Sequence, residues 1–309
     1  MIIISIIKFT YDYNINDQIQ SQRSTPMSKL IIALGVLGVS MSSILVRFSD
    51  ASSFFLAFYR MLFASVILLP LLLIRHRQEI KNIDIKSVLL AAVSGLFLGL
   101  HFTFYFEAVR HTSVAAATVL VDTEVFFVAV GGFLLIHETV GKKELIGIFV
   151  AFAGSCIIAL GDAGQSSMML RGDLMALAGA AAQAAYTLLG KKCRTRMSTT
   201  LYTGIVYGCA AVFLAVEMGL FRVSFTAAAP KNYLIALGLT IMCTFLGHSI
   251  FNWGLKYEKA TFVSIMKLME PLMASFMALA LFAEVPSIIT ILGGITVIGG
   301  IAYYIRTSA

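Results

Sequence analysis

Apolar stretches of about 20 residues alternate with short polar segments along nearly the whole chain after residue 28. An α-helix needs about 20 apolar residues to cross the hydrocarbon core of a bilayer. The pattern predicts ten transmembrane helices, at 29–48, 53–75, 87–109, 114–136, 144–161, 173–190, 199–221, 233–255, 260–282 and 288–305. Because helices satisfy their backbone hydrogen bonds internally in lipid, the sequence predicts an all-α integral membrane protein.

One stretch of the chain occurs twice. The first copy, Val114–Val140, reads VAAATVLVDTEVFFVAVGGFLLIHETV, and the second, Ala260–Pro286, reads ATFVSIMKLMEPLMASFMALALFAEVP. Aligned without a gap, the copies pair positions 146 residues apart, which are Glu124 with Glu270, Glu138 with Glu284, Gly147 with Gly293 and Gly154 with Gly300. The constant spacing indicates a duplication with five predicted helices in each half. Since five is odd, we expect two inverted-topology five-helix repeats, an arrangement found in many secondary transporters.

The predicted domain division follows the duplication, with the first repeat at 29–161 and the second at 162–309. Residues 1–28 differ from both repeats, because a short apolar start (MIIISII) gives way to the polar run NINDQIQSQRSTP. The apolar run is too short to cross a membrane, and no cleavage site of a signal peptide follows it. We expect a disordered N-terminal extension whose first 26 residues contribute nothing to fold or transport. Met27 is an alternative start of translation.

Composition supports a membrane protein. The chain is 59% hydrophobic and 13% charged, with a mean hydropathy of +0.90, whereas soluble domains are about 25% charged. The formal charge of +7 lies mainly in short loops, so a nucleic-acid partner is not expected. The four cysteines show no metal-binding spacing, and reduced thiols are expected, with no metal or cofactor.

The loops predict the orientation through their basic residues. One set of loops and ends carries sixteen of them: Lys8, Arg23, Lys29, Arg75, Arg77, Lys81, Lys86, Lys142, Lys143, Lys191, Lys192, Arg194, Arg196, Lys256, Lys259 and Arg306. The opposite set carries four: Arg110, Arg171, Arg222 and Lys231. Basic loops stay in the cytoplasm. We therefore expect a multi-pass protein of the cytoplasmic membrane with both termini inside.

Several motifs resemble a known family. They are FYRMLFA at 58–64, FEAVRHTSVAAATVL at 106–120, the T-E…HE spacing at 123–138, NWGLKY at 252–257 and EPLMASFMALALFAEVPS at 270–287, with the glycine-rich ELIGIFVAFAG and ILGGITVIGG. Over 28–306 the chain resembles the EamA-type transporters of the drug/metabolite transporter superfamily. Family members commonly carry Glu-Pro in both copies, but here the first copy reads Glu124-Val125. The helix break associated with the proline is therefore expected to be weaker in the first copy than in the second.

The resemblance implies secondary active transport of small metabolites such as amino acids, by alternating access, with export the expected direction. The implied partners are a small-molecule metabolite and the lipid bilayer, and the buried carboxylates described below make protons the candidate coupling ion. The protein is expected to be a monomer or a weak homodimer. An importer or exchanger of the same fold, a membrane-embedded enzyme and a passive channel are the alternatives.

Enzyme motifs are incomplete in the sequence. His137-Glu138 begins the HExxH zinc-protease pattern, but no second histidine follows. Gly161-Asp162 has no second matching aspartate of an intramembrane protease, and no phosphate-binding loop of the G-x-x-x-x-G-K-[ST] type is present. The sequence predicts that the protein is not an enzyme.

Three ionisable residues near the bilayer centre are candidates for a substrate or proton site. An ionisable group there costs at least about 2.5–3.5 kcal/mol, so it usually faces a bundle interior or an aqueous cavity. Glu124 and Glu270 lie near the middle of their predicted helices, and Arg60 lies near the middle of 53–75. The alternative is that the carboxylates are structural and stabilise a kink or pair with Arg60.

Six further residues form a predicted polar corridor on both sides of the carboxylates. His101 and Asp122 lie to the outer side, and Lys267, His248, Asn252 and Trp253 lie to the inner side. Asp122 and burial both favour a neutral Glu124, which makes Glu124 the predicted proton-coupling residue. Lys267 is one turn from Glu270 and is expected to keep it ionised, while Arg60 and the His248–Asn252 face are expected to contact substrate. The alternative is that Lys267 and Glu270 neutralise each other and that the histidines bond to neighbouring helices.

Five residues are predicted to be structural. Arg47 and Glu107 lie near outer helix ends, where a mutual ion pair or extension to the interface is expected. Glu138 and Glu284 are expected to join a loop to the N-terminus of the following helix, which attracts anions. Pro271 removes a backbone donor beside Glu270. Glycines near the helix middles are expected to allow close packing.

Overall fold

The computed structural model describes residues 25–111, 114–162, 170–226, 229–283 and 285–308. These residues contain fourteen α-helices and one π-helical segment, joined by short turns and loops, and no strand occurs among them. The helices are α1 (Pro26–Arg47), α2 (Ser53–Arg75), α3 (Arg77–Asn82), α4 (Ile85–His111), α5 (Val114–Asp122), α6 (Glu124–Ile136), α7 (Lys142–Asp162), α8 (Leu170–Cys193), α9 (Thr199–Leu220), α10 (Pro230–Leu239), α11 (Ser249–Gly254), α12 (Ala260–Lys267), α13 (Glu270–Phe282) and α14 (Ile288–Thr307). The π-helical segment is Thr240–His248, between α10 and α11.

Hydroxyl side chains determine where several of these helices begin. Thr25 caps α1 by accepting from the backbone N–H of Ser28, whose hydroxyl accepts in return from the N–H of Thr25. A reciprocal capping box of this kind satisfies two otherwise unpaired donors. The helix therefore begins at Pro26, before the predicted start at 29. Most of the predicted N-terminal extension, residues 1–24, lies outside the described residues.

The all-α membrane fold is confirmed. Within the described residues, eight segments, each one helix or consecutive helices, are long and apolar enough to cross a membrane. The helices at the predicted spans 144–161 and 173–190 are α7 and α8, which are not among these eight. The count of ten spans therefore stays a prediction.

The chain forms two compact units, and each unit draws on both halves of the sequence. Among the described residues, the first unit comprises those up to Leu100 and those between Leu189 and Glu258, and the second comprises those between His101 and Leu188 and those from Lys259 onward. The division into sequence repeats at 161/162 thus differs from the division into compact units. The predicted repeat boundaries stay a prediction.

In the second unit, the two sequence copies pack through reciprocal glycine contacts between α7 and α14. A Cβ atom added at Gly147 would stand 2.9 Å from the carbonyl oxygen of Gly300, and one added at Gly154 would stand 2.7 Å from that of Gly293. Gly147 is equivalent to Gly293, and Gly154 to Gly300. Gly147 therefore contacts the equivalent of Gly154, and Gly154 contacts the equivalent of Gly147. A two-fold relation between two copies produces reciprocal contacts of this kind.

In the first unit, α1 packs against the π-helical segment and α2 packs against α9. Gly38 of α1 allows the first contact, because a Cβ atom there would stand 2.7 Å from the carbonyl oxygen of Met242. A polar contact joins α4 to α9, where Ser94 Oγ and the Tyr202 hydroxyl lie 2.6 Å apart. Small residues and buried hydroxyl pairs are the usual means by which helices associate in lipid.

Candidate functional site

The helix that carries each candidate carboxylate is broken at equivalent places. In the first copy α5 ends at Asp122 and α6 begins at Glu124; in the second α12 ends at Lys267 and α13 begins at Glu270. Each carboxylate is therefore the first residue of a helix, where unpaired N–H groups and the helix dipole stabilise an anion. The structure thus replaces the two continuous predicted helices, 114–136 and 260–282, by pairs of half-helices.

The break is shorter in the first copy, where Thr123 alone separates the half-helices and Val125 replaces proline. The Thr123 hydroxyl donates to the carbonyl oxygen of Leu120 at 2.5 Å and so compensates that carbonyl. In the second copy two residues separate the half-helices, and Pro271 occupies the first turn of α13. A proline in the first turn loses no helical hydrogen bond, because the first N–H groups of a helix have no internal partner.

Glu124 forms a buried ion pair with Lys267. The Lys267 Nζ atom lies 2.9 Å from Glu124 Oε1, and the two residues are 9% and 3% exposed. Lys267, which the sequence placed one turn from Glu270, thus pairs with the carboxylate of the other copy. Helical spacing along one copy could not show this contact, because the cation comes from the other copy.

Asp122 and His101 are held by neighbouring helices of the second unit. The Ser155 hydroxyl donates to Asp122 Oδ2 at 2.7 Å, and Asp122 interacts electrostatically with Glu124, Glu270 and Lys267. His101 Nδ1 lies 3.1 Å from the carbonyl oxygen of Gly179, which can only accept, so Nδ1 carries the proton. Asp122 therefore belongs to the cluster of Glu124, while His101 bonds to the neighbouring helix α8.

Arg60 of the first unit is held by the π-helical segment. Its Nε atom donates to Thr244 Oγ1 at 2.7 Å, and the Thr240 hydroxyl donates to the backbone oxygen of Arg60 at 3.0 Å. Arg60 is 2% exposed. π-helical turns are rare and often occur at functional sites. The sequence did not indicate this segment, which lacks proline and reads as an ordinary apolar helix.

The predicted inner residues of the first unit lie at the end of the same segment. His248 closes it, and Asn252 and Trp253 follow in α11, all three buried. The Trp253 ring packs on Tyr257 with 4.7 Å between centroids. The backbone oxygen of Asn252 accepts from Arg194 Nε at 3.0 Å.

The sequence predicts Arg194 to be an ordinary basic loop residue. The structure buries it to 1% exposure, and its guanidinium also donates to Met197 O and to Thr199 Oγ1. Burial lowers the pKa of Arg194 to about 10. Its three acceptors join the end of α8 to α9 and α11, which makes it a structural cation.

The predicted structural residues have mixed outcomes. Glu138 bonds to the N-terminus of a helix, as expected, but this helix is α12 of the other copy and not the helix that follows Glu138. Its Oε2 atom accepts from the backbone N–H of Ala260 at 2.9 Å. Arg47 ends α1 and Glu107 lies in the last turns of α4, but the side chain of Arg47 falls outside the description, so their pairing stays a prediction. Glu284 also lies outside the described residues.

A two-repeat, all-α membrane protein with buried charges at paired helix breaks is the class that this fold defines. A model of the EamA-like transporter family matches the chain twice, at residues 26–160 and 170–306. The chain belongs to this family, and so to the drug/metabolite transporter superfamily.

Relatives agree with this assignment. An uncharacterized transporter of Archaeoglobus fulgidus is 27% identical over 90% of this chain and 96% of its own length. The uncharacterized transporter YxxF of Bacillus subtilis is 23% identical over 91% of this chain and 89% of its own length. A solved crystal structure of a protein covers 92% of this chain and 99% of its own, with a TM-score of 0.76 and 16% identity, and thus shares the fold. The protein is a multi-pass membrane transporter.

Proposed function

We propose that the protein exports small metabolites such as amino acids across the cytoplasmic membrane by proton-coupled secondary transport. Both termini face the cytoplasm, and the monomer is the transporting unit. The observation that carries the proposal is the buried Lys267–Glu124 ion pair, which joins the two sequence copies at their helix breaks. A buried pair is costly to break by removing one partner, because the other charge is left uncompensated.

A proton can break this pair, because protonation of Glu124 removes the negative partner of Lys267. Export driven by an inward proton gradient requires that proton and substrate bind in alternation. In one state the pair is broken and Glu124 carries the proton; in the other the pair is intact and the substrate is bound. A proton that enters from outside and is released inside is thereby exchanged for a substrate that leaves, and no further reactant is needed.

The first unit supplies the proposed substrate contacts. The Thr244 hydroxyl accepts from Arg60 Nε, and this bond orients the guanidinium for recognition of an anionic group. His248 and Asn252, one turn apart, contribute polar groups on one face. Alternating access then consists of opening such a site to one side of the membrane at a time.

The test uses purified protein in liposomes, first screened with a mixture of amino acids and related metabolites for a transported compound. Glu124→Gln keeps the size of the side chain and removes its charge. Flux driven by a pH gradient is expected to fall at least tenfold, whereas gradient-free exchange survives. Unchanged accumulation of substrate by Glu124→Gln under a pH gradient would refute the coupling role.

The alternatives give different outcomes in the same liposomes. An importer accumulates substrate when the pH gradient is directed the other way, and an exchanger requires substrate on both sides. A passive channel gives flux that never exceeds equilibrium. A membrane-embedded enzyme turns substrate over in detergent, where no gradient exists.

A further inference from the structure

One face of α12 carries polar residues at a spacing of three. Thr261, Ser264 and Lys267 succeed one another on this face, since residues three apart are neighbours on a helix. Thr261 is 0% exposed and Ser264 1%. Six residues of α-helix rise about 9 Å, so the row extends from the first turn of α12 to the ion pair with Glu124.

The hydroxyls of this row lack the partners that buried hydroxyls usually have. Among the described residues, Thr261 Oγ1 and Ser264 Oγ find no hydrogen-bond partner, and neither does Glu124 Oε2. Other helical hydroxyls in the protein bond to the carbonyl four residues earlier: Ser40 to Val36 O at 2.8 Å, Thr203 to Thr199 O at 2.8 Å and Ser275 to Pro271 O at 2.9 Å. A buried polar atom left unpaired is costly, and such atoms commonly bond to internal water.

Both ends of the row are polar. At the N-terminus of α12, Glu138 accepts from Ala260 N, and Lys259 Nζ lies 2.9 Å from Glu144 Oε1. At the other end, Lys267 contacts Glu124, with Asp122 and Glu270 in electrostatic range of this pair. The row therefore connects a charged cluster at one end of α12 with the buried carboxylate at the other.

The first copy does not repeat this row. The positions equivalent to Thr261, Ser264 and Lys267 are Ala115, Thr118 and Val121. Two of the three have lost the polar atom, and packing alone does not require it at the corresponding places. The polar row is thus a property of the second copy.

We propose that the Thr261–Ser264–Lys267 face holds a file of hydrogen-bonded water that leads from the N-terminus of α12 to Glu124 Oε2. An internal water makes about three hydrogen bonds, and the two hydroxyls, the carboxylate oxygen and the ammonium group supply partners along the row. That this file is the proton path between Glu124 and the cytoplasmic side rests on the proposed function. That the face is hydrated does not depend on the proposed function.

The first experiment measures hydration without transport. In protein whose four native cysteines are replaced by serine, Ser264→Cys is exposed to Ag⁺ in the absence of any substrate, and the remaining free thiol is counted after denaturation. Ser40→Cys is the matched control, because Ser40 is also 0% exposed but bonds to its own helix. We expect Ser264→Cys to react at least tenfold faster. Equal rates would overturn the proposal, and Thr261→Cys, which is read in the same way, replaces Ser264→Cys if that variant does not fold.

The second experiment measures the path. The double variant Thr261→Val/Ser264→Ala removes both hydroxyls and is expected to slow pH-driven flux at least threefold while leaving gradient-free exchange unchanged. Ser275→Ala, which removes a satisfied hydroxyl, is the control and keeps full coupling. If Ser264→Cys reacts with Ag⁺ but Glu124→Gln stays fully coupled, the proposed coupling role is wrong and the water file is supported. If Ser264→Cys does not react but Glu124→Gln is uncoupled, the water file is wrong and the coupling role is supported.

Discussion

The two copies of the broken helix place the same carboxylate at the same point but give it different surroundings. Glu124 and Glu270 each begin a half-helix, and a two-fold relation between the copies is visible in the glycine contacts of α7 and α14. Lys267 pairs with Glu124, but the residue equivalent to Lys267 is Val121, so the first copy offers Glu270 no matching lysine. Duplication supplies the geometry of the site, and later divergence supplies its charge asymmetry.

The largest expected effect comes from removing the cation of this asymmetric pair. Lys267→Met leaves Glu124 charged and buried, which costs about 3–5 kcal/mol when a buried pair is broken. We expect a marked fall in the melting temperature in detergent and loss of concentrative transport. The double variant Lys267→Met/Glu124→Gln should recover most of the stability but no coupling. Equal melting temperatures of the single variant and the unmodified protein would show that the pair is not a stabilising contact.

The second prediction compares the carboxylates directly. Glu270→Gln removes the other carboxylate. The first copy offers Glu270 no lysine, because Val121 stands at the position equivalent to Lys267, so this variant should reduce pH-driven flux by less than threefold. Glu124→Gln should reduce it at least tenfold, because Glu124 makes the ion pair with Lys267 that the proton is proposed to break. The measurement is initial flux into liposomes under one fixed pH gradient. Equal losses in the two variants would mean that the carboxylates act as a symmetric pair.

The third prediction concerns the contact that the two copies share. Gly154→Ala and Gly300→Ala change equivalent positions, and each new methyl group meets the backbone of the opposite helix. We expect both to destabilise the protein by about 1–3 kcal/mol, the usual cost of overpacking. Gly299→Ala is the adjacent control, because, apart from its chain neighbours and the backbone of its own helix, no atom of the described residues lies within 4 Å of its new Cβ atom. In thermal unfolding, the melting temperature of Gly299→Ala should equal that of the unmodified protein, and those of Gly154→Ala and Gly300→Ala should be lower.

Sequence reasoning located the helices well and their partners poorly. Hydropathy over 20 residues places a helix because each helix satisfies its own backbone, so the ends at Ser53 and Arg75 agree with the predicted span. The Glu-Pro pattern of the resembled family likewise led us to expect a helix break at Glu270 and a weaker one at Glu124, and the break at Glu124 is the shorter of the two. The partner of a buried charge depends on how distant segments pack. The sequence shows only neighbours along one helix, and for this reason it suggested Glu270, and not Glu124, as the partner of Lys267.

Other features left no periodic signal. The π-helical segment Thr240–His248 differs from an α-helix only in its hydrogen-bond pattern, which apolar residues do not encode locally. In the sequence, Arg194 is one of several basic residues that are predicted to face the cytoplasm, but its three acceptors come from a turn and two other helices. The unpartnered hydroxyls of Thr261 and Ser264 emerge only when burial and hydrogen bonding are both known.

The smallest expected effect concerns the start of the first copy, which again differs from the second. Thr25 caps α1, whereas the equivalent position is Arg171, inside α8. Removing residues 1–24 keeps the cap and should leave stability and flux unchanged. Removing residues 1–26, so that the chain begins at Met27, deletes the cap and should cost about 0.5–2 kcal/mol. Thr25→Ala in the full chain should reproduce this loss and Thr25→Ser should not, and melting curves of all four variants check it. The expectation that residues 1–26 contribute nothing to the fold is thus kept only for residues 1–24, because Thr25 and Pro26 form the start of α1. If the two deletions melt together below the unmodified protein, residues before Thr25 contribute as well.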